Sequence, residues 1–461
     1  MKTKRFFSVF LPVILVLNLF AVPLAAADGT EDAPNLPEDP NILAKAALLV
    51  DYNTGEVVYA KNEHEELYPA SLTKIMTALL TLEAIDAGRL TMDQPLTATA
   101  TALEGLSSDG SSAGIKVGET MPVRDLLYCM LVVSANEACD ILAEAVSGSV
   151  QAFVAAMNAK AAELGCKNTN FVNPNGLHDP RHYTSAWDMY LITKAAMEYP
   201  DFMTICNTAS TTIPATNLSG ERTLYTTNHL LSNWRVIGYR DTRAQGIKTG
   251  STDAAGLCLV SSAIQGSLHF VSVILGADRV EENGRGNIRS FSETSRMFDY
   301  GFENFTYKTI IDPNEPVQEV PVTLSKLDHV TVHPAREQEV LMPKVLDESH
   351  LQRTITLDQE SVEAPIDAGD VLGTMELSYN GKVYASVDLL AMHDVEASKL
   401  LVFWKDVKAF FAKTSVRVAG VVLVVLMVVF LVWKLLLSRR RYRYGRSVGY
   451  SRSRNYRGRR R

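Results

Sequence analysis

The sequence predicts an α+β protein in which helices flank an antiparallel sheet, followed by a small all-β domain and one C-terminal transmembrane helix. At 461 residues the chain has room for two or three domains of about 100–200 residues each. In the first 305 residues, strand-like segments at both ends enclose segments with helical spacing of apolar residues. After residue 305 the helical periodicity fades, and residues 418–437 are almost continuously apolar.

The N-terminus has the organisation of a secretory signal. A cationic start at residues 2–5 precedes an apolar stretch at residues 6–24 and three alanines at residues 25–27. We therefore predict a signal peptide over residues 1–27, cleaved after its last alanine. An uncleaved anchor helix is the alternative, which two prolines within the apolar stretch disfavour. Residues 28–41 are rich in Pro, Asp and Glu and are predicted to form a leader.

The next segments predict a hairpin and then three helices. Residues 47–50 and 56–59 are apolar runs separated by Asn53-Thr54-Gly55, a turn signal. Apolar residues recur at helical spacing from residue 71 to residue 85, with Gly88 as a C-terminal stop. Two further helices are predicted over about 135–146 and 150–164, and Gly165 ends the second of them.

Two buried strands close this first domain, and a β-rich segment follows it. Residues 256–263 and 268–275 are apolar runs separated by Gln265-Gly266, which predicts adjacent strands. Residues 306–395 are predicted to be a small β domain, with a hairpin of residues 376–379 and 382–387 around the Asn380-Gly381 turn.

The C-terminal part is predicted to anchor the protein in a membrane. An amphipathic connector occupies residues 396–417, with Leu, Phe and Trp on one face and lysines elsewhere. Residues 418–437 can cross a hydrocarbon core about 30 Å thick, because each helical residue adds about 1.5 Å. A buried core helix is the alternative. Residues 438–461 form a basic tail without acidic residues, which the positive-inside rule places in the cytoplasm.

The charge distribution disfavours nucleic acid as a partner. The formal charge is −7, but three cations lie in the signal and fourteen from Lys413 onward, leaving about −24 on the rest. An acidic body of this kind indicates a solvated extracellular domain. A basic tail is also typical of nucleic-acid binding, but its place directly after a membrane span favours contact with anionic lipid.

The five cysteines show no spacing typical of a zinc site or a disulfide framework. They are predicted to be structural thiols, and no metal or cofactor is expected. They are Cys129, Cys139, Cys166, Cys206 and Cys258.

The first motif with chemical potential is Ser71-Leu72-Thr73-Lys74, which follows a proline at a predicted helix start. Residues three apart share a helix face, so the Ser71 hydroxyl and the Lys74 amine can approach each other. A lysine acts as a base only if its pKa is lowered. Alone, this spacing is common by chance.

Two more motifs follow in order. Ser134-Ala135-Asn136 begins a predicted helix, where Ser134 has the alternative role of N-cap. Lys248-Thr249-Gly250 precedes a predicted strand and offers a cation, a hydroxyl and a residue that lets a substrate backbone come close. Together the three motifs form the signature shared by penicillin-binding proteins and class A β-lactamases.

The sequence around the motifs resembles the D-alanyl-D-alanine carboxypeptidases of the penicillin-binding protein 5 type. The matching segments are YPASLTKIMT (68–77), GSSAGIKVGETMPVRDLL (110–127), SANEA (134–138) and GIKTGSTDAAGLC (246–258). The resemblance implies a β-lactamase/transpeptidase-like serine D,D-peptidase domain over residues 42–305. The sequence departs from the family in Ala135 and Glu137, where glycine and aspartate are frequent, in Ser251, at a position that the family varies, and in Trp187, where a smaller or basic residue is more usual.

The resemblance also implies roles for the motif residues. Ser71 would be the nucleophile, Lys74 its general base, and Ser134 the relay of a proton to the leaving D-alanine. Substrate binding would fall to the other motif residues, with Lys248 also keeping Lys74 neutral and the backbone of Ser71 and Ser251 forming an oxyanion hole. These substrate-binding residues are Asn136, Lys248, Thr249, Gly250 and Ser251.

The resemblance implies as partners a peptidoglycan stem peptide ending in D-Ala-D-Ala, β-lactams as covalent inhibitors, and membrane lipid. It implies a single-pass protein of the cell membrane with its catalytic domain outside. A class A β-lactamase and a non-catalytic wall-binding protein of the same fold are the rival hypotheses. The histidine pair in His178-Asp179-Pro180-Arg181-His182 is not predicted to bind metal, because the proline interrupts a helix. His329, His333 and His350 are predicted to be surface residues.

Overall fold

The computed structural model of the protein describes residues 34–106, 110–282 and 285–441. The predicted signal peptide, residues 1–27, lies outside the described residues, as does most of the predicted basic tail.

The first domain alternates strands and helices along the chain. Its strands are β1 (Ala46–Asp51), β2 (Val57–Lys61), β3 (Pro95–Thr97), β4 (Thr120–Pro122), β5 (Ser210–Ile213), β6 (Arg222–Tyr225), β7 (Ala244–Thr252), β8 (Gly256–Gln265), β9 (Leu268–Ala277), β10 (Arg279–Glu282) and β11 (Arg285–Ile288). Its helices are α1 (Lys74–Asp86), α2 (Val123–Val132), α3 (Asn136–Ser147), α4 (Val150–Glu163), α5 (Ala186–Met197), α6 (Pro200–Cys206) and α7 (Arg289–Asn304).

A five-stranded antiparallel sheet in the order β2-β1-β9-β8-β7 forms the centre of this domain. Successive side chains of a strand point to opposite faces of its sheet. Val271 and Val273 of β9 accordingly pack in the core that contains α1–α5, whereas Phe270 and Ile274 pack with α7. The predicted antiparallel sheet flanked by helices is confirmed, and β7 is its outer strand on one side.

Two helices begin later than the sequence predicts. The helix expected from residue 71 starts with a 3₁₀ turn, Ala70–Thr73, and becomes α-helical only at Lys74. Ala70 has a φ of 47°, outside the range of a right-handed helix. The helix expected from about residue 135 begins at Asn136, and its N-cap is Ala135. The interpretation of Ser134 as an N-cap is therefore wrong: Ser134 has a φ of 67° and makes no capping hydrogen bond.

The second domain consists of strands with a core of their own. Six of its strands form a sheet in the order β16-β18-β19-β14-β13-β17, and its core includes Val320, Val332 and Leu389. The predicted turn Asn380-Gly381 joins β18 to β19, with φ values of 49° and 81° that suit a two-residue hairpin loop. The strands are β12 (Phe305–Ile311), β13 (Gln318–Thr323), β14 (His329–Pro334), β15 (Gln338–Pro343), β16 (Gln352–Leu357), β17 (Val362–Glu363), β18 (Val371–Tyr379) and β19 (Lys382–Ala391).

A polar contact joins the two domains at the end of β1. The hydroxyl of Tyr307, on β12, donates a hydrogen bond of 2.7 Å to the Asp51 carboxylate at the end of β1. Asn53 Nδ2 donates in turn to the Tyr307 hydroxyl at 3.2 Å. The β domain is thus fixed to the turn between β1 and β2.

Two helices end the described chain. Helix α8 (Lys399–Ala412) exposes Leu400, Phe403 and Trp404 to solvent, and α9 (Thr414–Arg441) follows it. Within α9, the most apolar stretch of Thr414–Leu437 has a mean hydropathy of 2.9, and it is not buried inside the protein. This helix is long and apolar enough to cross a membrane.

Candidate active site

The fold brings the three sequence motifs together at one cavity. Its volume is about 220 Å³, and Ser71, Ser134, Thr249, Gly250 and Ser251 are among the residues that line it. The other predicted site residues, Lys74, Asn136 and Lys248, are buried behind this surface. Residues from separate parts of the chain therefore converge where α1, α3 and the outer strand β7 meet.

A buried histidine supports the turn that carries Ser71. His182 Nδ1 accepts a hydrogen bond from the Val172 backbone N–H at 3.2 Å, so the ring proton lies on Nε2. Nε2 donates to the Thr73 hydroxyl at 2.8 Å, and that hydroxyl donates to the Ala70 carbonyl, also at 2.8 Å. Burial lowers the pKa of His182 to about 4, which keeps the ring neutral. This chain of bonds fixes the 3₁₀ turn that presents Ser71.

The side chain of Lys74 is completely buried and has three polar partners. Its Nζ donates to Ser71 Oγ at 3.0 Å, to Asn136 Oδ1 at 2.8 Å and to the Asn175 carbonyl at 2.6 Å. The Ser71 and Lys74 side chains thus meet, as their spacing predicts. The partners come from the turn before α1, from the start of α3 and from the loop after α4.

Burial favours the neutral form of Lys74. Loss of hydration lowers the pKa of the Lys74 amine, and the neighbouring Asp140 and Glu137 carboxyls oppose this shift without cancelling it. A neutral amine has two N–H groups and one lone pair, so one of its three partners must donate to it. The carbonyl oxygens of Asn136 and Asn175 can only accept, whereas the Ser71 hydroxyl can donate. A neutral Lys74 therefore takes its hydrogen bond from Ser71.

Ser134 offers a second hydroxyl to the cavity. It is 4% exposed, and its Oγ is buried without a hydrogen-bond partner among the described residues. A buried hydroxyl that lacks a partner costs about 1–3 kcal/mol. Its backbone also has the positive φ that side chains rarely adopt. Neither feature contributes to the stability of the fold.

The third motif lies on the outer strand β7. Lys248 is buried, and its Nζ donates to the Thr249 carbonyl at 2.8 Å. Burial and the nearby Lys74 lower the pKa of Lys248 to about 7. Burial is the largest cause of the lowered pKa of Lys74, and the additional repulsion by Lys248 that the resemblance implies stays a prediction. Thr249 Oγ1 lies 2.6 Å from Thr227 Oγ1, and Ser251 is exposed.

Gly250 has a packing role that its sequence context does not show. A Cβ at this position would lie 2.9 Å from the Pro69 carbonyl oxygen and 3.1 Å from the Ser71 nitrogen. The absence of a side chain therefore lets β7 lie directly against the turn of the first motif. The predicted role of Gly250 beside a substrate backbone is a separate matter and stays a prediction.

Several residues of the site escaped the sequence analysis. Asn175 binds Lys74 through its backbone carbonyl, which no side-chain pattern reveals, and its Nδ2 donates to Asp140 at 3.1 Å. Asp140 lies one helical turn after Asn136, a spacing that could have identified it. Thr227 and Arg279 also line the cavity, and they lie outside the three motifs.

Of the remaining cysteines and histidines, Cys258 and His229 also line the cavity. The described cysteines are free thiols, as predicted, and burial raises the pKa of Cys139 to about 12. No group of three or more His, Cys, Asp or Glu side chains suited to a metal occurs in the part of the chain that the structure describes. Of the β-domain histidines, His329 is exposed, whereas His333 and His350 are half-buried.

This arrangement defines a serine hydrolase of the penicillin-binding protein fold, with a transpeptidase-like α+β domain and a C-terminal all-β domain. The model of the D-alanyl-D-alanine carboxypeptidase family matches residues 33–279, and the penicillin-binding protein 5 C-terminal domain matches residues 305–397. The chain belongs to the D-alanyl-D-alanine carboxypeptidase family and is a serine-type carboxypeptidase. The predicted family and fold class are confirmed.

Individual relatives agree with this assignment. The chain is 32% identical over 402 residues to the D-alanyl-D-alanine carboxypeptidase DacF of Bacillus subtilis, covering 87% of this chain and 97% of that protein. The crystal structure of the carboxypeptidase DacD from Francisella tularensis matches with a TM-score of 0.66 at 26% identity, covering 82% and 100% of the two chains. Penicillin binding protein 5 from Haemophilus influenzae matches with a TM-score of 0.60 at 29% identity, covering 78% and 99%.

We predict that Gly176→Ala disrupts the turn that carries Ser71. An alanine Cβ would lie 1.9 Å from the Ala70 carbonyl oxygen, and the φ of +85° already disfavours a side chain. The expected loss of unfolding free energy is about 2–5 kcal/mol, measured by chemical denaturation in detergent. The control is Gly165→Ala, with a φ of +83° and no atom within 4 Å, which should cost about 1–2 kcal/mol. Equal losses in both variants would contradict the importance of the Ala70 contact.

We also predict that Asp140→Asn stabilises the protein above neutral pH. Burial raises the pKa of the Asp140 carboxyl from 3.8 to about 7, so the folded state holds this proton more tightly than the unfolded chain. The unfolding free energy of the wild type therefore decreases as the pH rises from about 4 to about 7. The asparagine variant does not show this decrease, because its side chain does not ionise. The difference in unfolding free energy between variant and wild type should grow by about 1–4 kcal/mol across that window. The exposed Asp358→Asn serves as a control, and a pH-independent difference for Asp140→Asn would contradict the prediction.

Proposed function

We propose that the protein removes the terminal D-alanine from peptidoglycan stem peptides through an acyl-enzyme formed on Ser71. The observation that supports this most directly is the contact of 3.0 Å between Lys74 Nζ and Ser71 Oγ. Since the other two partners of Lys74 only accept hydrogen bonds, deprotonation of Lys74 makes it a base directed at Ser71. The Ser71 oxygen then attacks the carbonyl carbon of the penultimate D-alanine.

The next steps need groups that stabilise charge and deliver a proton. The backbone N–H groups of Ser71 and Ser251 would bind the oxyanion that forms on the attacked carbonyl. Ser134, whose hydroxyl has no hydrogen-bond partner among the described residues, would give its proton to the amine of the leaving D-alanine and regain one from the protonated Lys74. The neutral Lys74 would then take a proton from the water that attacks the ester and return it to Ser71 as the shortened peptide leaves.

Recognition of a chain end follows from the cation on β7. Lys248 and Thr249 would bind the carboxylate of the last D-alanine, one residue beyond the bond that is cut. The pKa of Lys248 is about 7 in the free protein, so its amine can gain a proton. Binding of the carboxylate anion then favours the charged form of Lys248. Asn136, held by Lys74, would position the substrate amide, and Gly250 would keep β7 against Ser71.

β-Lactams resemble the D-Ala-D-Ala end of the stem peptide and would acylate Ser71 as covalent inhibitors. The class A β-lactamase hypothesis shares the three motifs but requires rapid hydrolysis of that acyl-enzyme. A β domain joined to an apolar terminal helix is not needed for such an activity. The protein is therefore expected to retain a penicillin rather than turn it over.

The terminal helix supports a place at the cell membrane. Thr414–Leu437 has the length and apolar character of a membrane anchor, and α8 exposes aromatic residues that suit the headgroup region. With the basic residues 438–461 in the cytoplasm, the catalytic domain would lie outside the membrane. Peptidoglycan and membrane lipid are then its partners, and nucleic acid is not.

Replacement of Ser71 tests the proposed reaction. Wild-type protein in detergent should release D-alanine from a pentapeptide ending in D-Ala-D-Ala and bind a fluorescent penicillin covalently. Ser71→Ala should lose both, by a factor of at least about 10³ in D-alanine release, because the nucleophile is absent. The readouts are an enzymatic D-alanine assay and gel fluorescence. Equal release by both proteins would exclude Ser71 as nucleophile, and rapid loss of the bound penicillin would favour the β-lactamase hypothesis.

Ser134→Ala separates a functional role from a structural one. Because the Ser134 hydroxyl has no hydrogen bond to lose, the unfolding free energy should stay unchanged or rise by about 1 kcal/mol. D-Alanine release should fall by a factor of about 10²–10⁴, the range for loss of a general acid. A destabilised variant of normal activity would contradict the proposed role. Ser112→Ala provides a contrast in stability, because this variant loses the hydrogen bond of 2.7 Å that Ser112 Oγ donates to Glu137.

A further inference from the structure

A second cavity of about 220 Å³ adjoins the segment that leads to Ser71. It is lined by Tyr68, just before the first motif, by the turn Ala254–Ala255 after β7, and by Lys45, Glu66 and Tyr183. The ring of Tyr68 packs edge-on against His178 with centroids 4.7 Å apart, which holds it at the wall of the cavity. None of these lining residues belongs to the catalytic motifs.

The order of residues along β7 shows which part of a substrate reaches this cavity. β7 is the outer strand of the sheet, so its free edge can pair with an extended peptide. In the proposed mechanism the terminal carboxylate lies at Lys248 and Thr249, and the attacked carbonyl lies at Ser251. The substrate residue before the penultimate D-alanine therefore lies beyond Thr252, beside the turn Ala254–Ala255. This residue is the third of the stem peptide, the diamino acid.

The cavity is lined by one cation and one anion, and neither has a charged partner among the described residues. Lys45 Nζ and the Glu66 carboxylate form no ion pair or side-chain hydrogen bond with each other or with other residues among those described. The stem of Lys45 lies against Gly276, where a Cβ would come within 2.7 Å of Lys45 Cδ. The cavity thus presents a cation and an anion that can each bind a ligand group, with two tyrosines, Tyr68 and Tyr183, beside them.

We propose that this cavity is a subsite for the third residue of the stem peptide, and that it takes a diamino acid whose far end carries both an amino group and a carboxylate. Diaminopimelate is a residue of this class. Glu66 binds its ammonium group, Lys45 binds its carboxylate, and the tyrosine rings contact its methylene groups. This inference rests on the proposed function and adds the class of stem peptide to it.

A lysine in the third position fits the subsite less well. Its side chain ends in an ammonium group alone, which leaves Lys45 without a partner. The contribution of a solvent-accessible charge contact is modest, so the preference between the two stem peptides should be about fivefold. Lys45 therefore determines the preference, whereas Glu66 contributes to the binding of both peptides.

The test compares two pentapeptides that end in D-Ala-D-Ala and differ only in the third residue, diaminopimelate or lysine. We expect wild-type protein, with its membrane helix in detergent, to show a kcat/KM for D-alanine release about fivefold higher with the diaminopimelate peptide. Lys45→Met should bring this ratio close to one, and Glu66→Gln should lower kcat/KM for both peptides. A general loss of activity cancels in the ratio, because both peptides are measured on the same protein.

Matched controls replace exposed charges that do not line the cavity. Lys167→Met and Glu65→Gln should keep the wild-type ratio. A wild-type ratio near one, or an unchanged ratio in Lys45→Met, would overturn the subsite. Failure of the proposed function gives a different result, because then no D-alanine is released from either peptide and penicillin labelling of Ser71 is absent.

Discussion

The structure depends on placing one lysine amine, buried away from solvent, within reach of one serine hydroxyl. Lys74 is completely buried, and an uncompensated buried ammonium group costs far more than a small domain can supply. Three oxygens from three separate segments satisfy its hydrogen bonds. The positions of α3 and of the loop after α4 are therefore constrained by the hydrogen-bonding needs of a single nitrogen atom on α1.

Unfavourable local features accumulate around this contact. Ala70 and Ser134 both have positive φ, and the Ser134 hydroxyl, the Asp140 carboxyl and the Lys248 amine are buried. Such features persist only where the surrounding structure fixes them. Here the surroundings are two apolar cores on the two faces of the central sheet. The sheet and its helices thus stabilise a site that would not be stable alone.

The local parts of the fold could be predicted from the sequence, and the long-range parts could not. The Asn380-Gly381 hairpin and the paired strands β8 and β9 follow from turn residues and apolar runs, which act over a few residues. The three motifs identify Ser71, Lys74 and Lys248 because their chemistry is distinctive. Asn175 could not be predicted as a site residue because it binds Lys74, 101 residues away in sequence, through its backbone carbonyl. The 3₁₀ turn could not be predicted because its sequence favours a helix, and contacts with distant residues override that preference. Ala70 lies close to Gly176, and its carbonyl accepts a hydrogen bond from Thr73, which His182 holds.

The two ends of β7 differ in a way that accounts for the removal of a single residue. At one end, Lys248 is 1% exposed. In the proposed mechanism its cation favours a substrate that ends there in a carboxylate over one whose chain continues. Beyond Thr252 the strand leads to the exposed Ala254 and to a cavity open to solvent. The proposed orientation therefore allows a stem peptide of any length on one side of the cut bond and a single residue on the other.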